Sequence, residues 1–153
     1  MTNPPARQAG PLEKALGALH DVAGLRPIVD GLSRQSEAID AELRDAVLAQ
    51  IPAFRESRNP EVLPQLARHA PQHAVEITRL LSGGPVGDFA FVREHARLRA
   101  RQYFPLEAVL HAYRLGHKVF AHRLLDAAGA LPQATMTALA DFTLEYTDAI
   151  STI

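Results

Sequence analysis

The chain of 153 residues has no cysteine, no tryptophan and only two methionines, and its formal net charge is −1. Without cysteine there is no disulfide framework, no thiolate metal site and no thiol nucleophile. The near-balanced charge gives no reason to expect nucleic acid or an acidic membrane as a direct partner. Long apolar runs are missing as well. None approaches the roughly 18 residues of a membrane span, and the opening MTNPPARQAG lacks the apolar stretch of a signal peptide. These absences lead to the expectation of a cytoplasmic domain. Strand alternation and internal repeats are also wanting.

What the chain does have is helical periodicity. An apolar fraction of 47% and a charged fraction of 22% suit one globular domain with a single core. Residues 1–11, rich in Pro and small polar residues, read as a disordered lead-in. From there the spacing predicts an all-α, single-domain bundle of six to seven helices over 12–153, arranged around a central helix at 105–128. Leu12, Leu16, Leu19 and Val22 mark a first short helix, with Gly24 placed to end it. A brief segment holding Ile28, Val29 and Leu32 follows Pro27. Ser33 or Ser36 then caps a longer helix whose buried face is Ile39, Leu43, Val47, Ile51 and Phe54, with Pro52 expected to bend or end it.

Asn59-Pro60 starts the next helix, with Leu63, Leu66, Ala70, Ala74, Ile77 and Leu81 as its stripe and Pro71 expected to kink or split it. Gly83-Gly84-Pro85 stops it, and Asp88 caps a basic helix running towards Pro105. Pro105 suits the first turn of the central helix, Gly129 lies near its end, and Pro132 opens the last helix.

In the central helix, Leu106, Val109, Leu110, Tyr113, His117, Phe120 and Leu124 share one arc. Ala108, Ala112, Leu115 and Val119 share another, and a polar strip of Glu107, His111, Arg114, Lys118 and His122 lies between. Tyr113, Arg114 and His117 are the candidate ligand-binding or structural polar residues. His117 reads either as a neutral core histidine or as a contact to a ligand or haem. Arg114 reads as an internal ion pair, with Glu107 or an acid of the last helix, or as an anion site. The charge layout favours the pair, because 93–123 is rich in bases while 124–153 holds Asp126, Asp141, Glu145 and Asp148 and no base. Gly116 costs about 1 kcal/mol of helix propensity, which a neighbouring helix passing close by would explain.

Other motifs fall away. His69 and His73 have the spacing of two imidazoles on one metal, but Pro71 separates them and no third ligand is evident, so no metal site is expected. LSGGPVGD lacks the Lys-Ser/Thr of a phosphate loop. REHARLRAR reads as a solvated or ion-paired face rather than a nucleic-acid helix. No nucleophile elbow or catalytic carboxylate pair stands out, so the chain is expected not to be an enzyme and to need no cofactor.

Residues 91–125, FVREHARLRARQYFPLEAVLHAYRLGHKVFAHRLL, carry a resemblance to a known family. Arg99, Ala100, Pro105, Leu106, Leu110, Ala112, Tyr113, Arg114, Gly116 and Phe120 match the hallmark of the RsbRD N-terminal-like regulatory domain. The helical layout of 12–153 and the closing FTLEYTDAIS fit it too. Tyr103-Phe104 departs from the small residue usual before Pro105. The resemblance implies a non-enzymatic sensory or regulatory domain of a bacterial regulator. Its output domain, a PucR/CdaR-type helix-turn-helix or a STAS domain, would lie outside this chain. It also implies a homodimer and a small-molecule ligand, without direct nucleic-acid contact by this segment. A globin-like haem or gas-sensing domain is the alternative that length and helicity allow.

The last helix supplies one more expectation. Leu139, Phe142, Tyr146, Ala149 and Ile153 recur at steps of three and four, with no stop signal before the end. Tyr146, Ile150 and Ile153 are therefore candidates for a helix that closes the bundle, meets a partner chain and leads on into a linker of a longer regulator.

Overall fold

The computed structural model of the chain describes residues 10–20 and 22–153. Among these it holds eight α-helices and no strand: α1 Pro11–Leu19, α2 Leu25–Arg34, α3 Ser36–Gln50, α4 Pro52–Arg55, α5 Val62–Leu81, α6 Ala90–Arg101, α7 Leu106–Ala127 and α8 Gln133–Ser151. The all-α bundle matches the sequence expectation, with a slightly higher count. The segment after Pro27 is itself a helix, burying Leu25, Ile28, Val29 and Leu32, and Pro52 begins a short α4. Of the lead-in, residues 1–9 lie outside the described residues, and Pro11 opens α1.

Several boundaries follow from local chemistry. Gly24 does not end α1, which stops at Leu19. It takes φ 87° as the residue before α2, where an added Cβ would also lie 2.9 Å from Leu131. Gln35 separates α2 from α3, and no serine side chain caps either start. The amide of Glu61 donates to Asn59 Oδ1, 2.9 Å away, just before α5. That helix runs through Pro71 without splitting, forgoing one backbone hydrogen bond. Gly83 at φ 98° closes it, and the Gly84 amide donates to the Arg79 carbonyl.

The core draws on every helix. The α3–α4 face of Ile39, Leu43, Val47, Ile51 and Phe54 is buried throughout. On α8, Leu139, Phe142, Tyr146 and Ile150 are buried. α8 packs against α1 and α7, and α7 also packs on α2 and α3. The inner face of α7 differs from the wheel reading. Ala108, Leu115, Val119, Phe120 and Leu124 are buried, whereas Leu106 is 69% exposed and Tyr113 and His117 are partly exposed. Short side chains at 108 and 112 sit on a side of α7 that meets other helices, so the smaller arc contributes as much core as the larger.

Candidate functional site: a histidine–arginine seam and an apolar slot

α6 is too polar to be held by an apolar stripe. Val92, His95 and Arg99 are its buried residues, and they lie on one face at steps of three and four. Opposite them on α5 are Gln65, His69 and His73, again at steps of four. The two helices run in opposite directions, so the residues meet in three rungs. Arg99 Nη1 donates to Gln65 Oε1 over 3.3 Å. The His95 ring lies flat on His69, with centroids 3.5 Å apart and planes at 16°. Phe91 meets His73 edge-on at 5.1 Å.

Arg99 is only 6% exposed and makes no ion pair among the described residues. Its charge is accommodated otherwise. The guanidinium carbon stands 5.4 Å from the centre of the Phe54 ring and 5.3 Å from that of Phe104. Nη1 also donates to Gln102 Oε1 at 3.1 Å, and Gln102 Nε2 donates to Gln65 Oε1 at 2.7 Å. One arginine thereby ties α4, α5, α6 and the α6–α7 turn together.

Such burial disfavours further positive charge. Burial, then His69, His73 and Arg99, push the His95 imidazole down to about 3. His73 is lowered to about 4 by burial and by His69, against a smaller opposing pull from Glu76. His69 is lowered by burial, Arg99 and Arg68, with Glu94 acting the other way. At neutral pH the three imidazoles are uncharged and Arg99 is the seam's one cation. No carboxylate, hydroxyl or thiol belongs to the three rungs. Among the described residues no group of three or more histidines and acids is placed to hold a metal ion.

His73 joins this seam to a second feature. Its Nδ1 shares a 2.9 Å hydrogen bond with Tyr146 Oη, and its ring meets that of Tyr113 at 5.8 Å. Burial raises the hydroxyl pKa of both tyrosines. Beyond them, between α7 and α8, lies a slot of about 50 Å³ bounded by Leu43, His73, Ile77, Tyr113, Gly116, His117, Phe120, Phe142, Thr143, Tyr146, Thr147 and Ile150. A larger hollow of about 450 Å³ lies between α1, α2 and the end of α5, but its titratable groups His20, Arg26 and Asp30 are exposed at the surface.

The residues singled out from the sequence separate into two groups. Tyr113, His117, Tyr146 and Ile150 come together around the slot. His117 Nδ1 donates to the Thr143 carbonyl at 3.2 Å, tying α7 to α8. Arg114 does not join them. It is exposed and has no ion pair with Glu107 or with an acid of α8, so the expected internal pair is absent. Two bases of α6 and α7 find partners elsewhere, Arg93 with Asp88 and Arg123 with Glu42. Ile150 is buried in its own chain, and of the candidate linker residues Ile153 alone is exposed.

Sequence reasoning missed the seam itself. Its signal was the step of four shared by Gln65-His69-His73 and Phe91-His95-Arg99. Taken alone, the first reads as a metal pair and the second as a solvated or ion-paired face.

The fold and seam define an all-helical bundle in which one polar helix is held by imidazoles, an amide and a buried arginine. No helix among the described residues is long and apolar enough to cross a membrane. A family model, the RsbT co-antagonist protein rsbRD N-terminal domain, matches residues 37–153, well over half the chain, and the chain belongs to that family of regulatory domains. The match spans α3 to the end of α8 and leaves α1 and α2 outside it. No curated protein matches the chain, and no solved structure does.

Proposed function

We propose that the chain is a non-enzymatic sensory domain of a bacterial transcription regulator, which acts by changing how α6 packs on the rest of the bundle. The observation that carries this reading is the seam. A helix held by stacked imidazoles and a few hydrogen bonds has two workable positions more readily than one sealed in a close-packed apolar core. Arg99 reaches the turn before α7, so a shift of α6 would be felt at the start of the helix that pairs with α8. The output, a helix-turn-helix or STAS domain, is expected beyond this segment.

A homodimer is part of the proposal. Arg114 and Lys118 form an exposed basic row on α7, and Asp141 and Asp148 an exposed acidic row on the adjacent α8, with the exposed Leu144 beside them. A helical hairpin with one row of each sign is complementary to its own copy across a two-fold axis. The haem alternative finds less support. Space around His117 is about 50 Å³, against the several hundred Å³ common for a cofactor pocket.

The test uses the uninterrupted reading frame that carries this segment. His69→Leu/His95→Leu should fix α6 with apolar contacts and leave the output locked in one state, read as DNA binding or partner binding that no longer responds to the inducing condition. A response equal to that of the wild type would remove the seam from the mechanism. For the dimer, sedimentation should find a two-chain species that weakens as salt rises, and a monomer at all concentrations would refute it.

A further inference from the structure

Tyr103, in the turn between α6 and α7, is the most exposed large apolar side chain among the described residues. Its backbone has φ 54°, in the left-handed region that favours glycine. A conformation that costs stability and brings almost no packing within its own chain calls for a use outside it. The turn is held firmly from beneath. Gln102 bonds to Gln65 and Arg99, while Phe104 donates its amide to the Arg99 carbonyl and sets its ring against Phe54. Tyr103 is thus presented on a fixed support.

Other side chains extend the patch. Leu106 is exposed although it shares the arc of Tyr113, His117 and Phe120. At the antiparallel register set by the His117–Thr143 bond, the end of α8, with the exposed Ile153, comes beside the first turn of α7. Arg101 and Glu107 bracket Tyr103 and Leu106 in the chain. Both are exposed, and neither makes an ion pair among the described residues. We infer that the α6–α7 turn, with Tyr103 and Leu106 at its centre, is a contact surface for a second copy of this chain, turn against turn across a two-fold axis.

The charges select that occupant. An apolar centre with one free charge of each sign to either side is complementary to itself, because the axis sets Arg101 of each copy against Glu107 of the other. A uniformly acidic or basic partner would meet a like charge on one side. Tyrosine supplies a large, rigid contact at small entropic cost, and the fixed turn leaves little to be ordered on association. The patch is small, so the contact is weak and reversible. It is separate from the hairpin pairing proposed above, which uses Arg114, Lys118, Asp141 and Asp148, and neither requires the other.

The chain carrying Asp141→Asn/Asp148→Asn lacks the acidic row of the hairpin and so isolates the turn contact. Sedimentation up to millimolar concentration should find reversible two-chain association in this background, with amide NMR shifts on dilution confined to residues 101–107 and the end of α8. Tyr103→Gly should weaken it about tenfold or more and leave the monomer as stable or more so. Arg101→Glu and Glu107→Arg, each alone, should abolish self-association, since every pairing then sets like charges together. Mixed in equal amounts, these two variants should associate again, because the mixed pair restores both contacts between opposite charges. Melts followed by circular dichroism check that each variant, changed at an exposed position, remains folded. A monomer at every concentration would overturn the inference. So would association that Tyr103→Gly leaves unchanged, or a mixture that associates no better than either single variant.

Discussion

His95 lies on His69 with ring centroids 3.5 Å apart, and this stack is the middle of the three rungs that join α6 to α5. Two imidazoles at that separation cannot both carry charge, least of all beside the buried Arg99. The α5–α6 contact therefore favours the neutral form of His69, His73 and His95.

Acid should therefore weaken the fold. His95 and His73 are lowered to about 3 and about 4, below the ordinary value of 6.5 for the unfolded chain. Between those values the unfolded chain binds more protons than the folded one, so stability rises with pH across this window and is lost as pH falls through it. A loss of about 2–4 kcal/mol between pH 7 and pH 4 is expected. Urea midpoints at pH 7, 5.5 and 4 measure it, and His95→Leu should flatten the trend.

Arginines 99 and 114 should behave oppositely. Arg99→Ala strips two aromatic faces of their cation and leaves Gln65 and Gln102 facing a void, a loss of roughly 2–4 kcal/mol. Arg99→Lys should recover little, because an ammonium cannot stack as a planar guanidinium does. Arg114→Ala should change stability by less than about 0.5 kcal/mol, as for an exposed arginine without a partner. Thermal melts of the three variants check the order.

Tyr103 occupies a position that favours glycine. It has φ 54°, is 95% exposed, and follows α6 in a turn where the Phe104 amide donates to the Arg99 carbonyl over 2.9 Å. Tyr103→Gly should stabilise the chain by about 1 kcal/mol. A lower melting temperature would mean that the tyrosine ring earns its place through contacts of its own.

Tyr146→Phe removes the hydroxyl bonded to His73 Nδ1 while keeping the ring between Phe89 and Phe142. The expected loss is about 1 kcal/mol, with more if His73 is left without any partner. Comparing His73→Phe and the double variant tells whether the two groups act as a pair.

Much of the architecture was legible from the sequence, and the reasons are local. The face from Ile39 to Phe54 obeys helical spacing with strong apolar residues, and all five are buried. Pro105, Pro132 and Gly83-Gly84 lie at or beside the helix limits they suggest. The extra helices were hidden by prolines, since Pro27 and Pro52 sit in first turns, where a missing amide costs nothing, yet read as breaks. The inner face of α7 was misjudged because alanines pack against neighbours as well as larger residues do. His117, Tyr113, Tyr146 and Ile150 were picked out singly, but that they enclose one slot depends on the antiparallel register of α7 and α8. The seam escaped because buried arginine and histidine look solvated until their partners are known.

Backbone hydrogen exchange at neutral pH tests the central claim most directly. If α6 is held on the bundle by the neutral seam and moves as a unit, the amides of 94–101 should exchange through a local opening well below the global unfolding energy. Those of α7 and α8 should exchange only with global unfolding, and His69→Leu/His95→Leu should slow α6 towards them. Exchange of α6 at the global rate in the wild type would contradict the account.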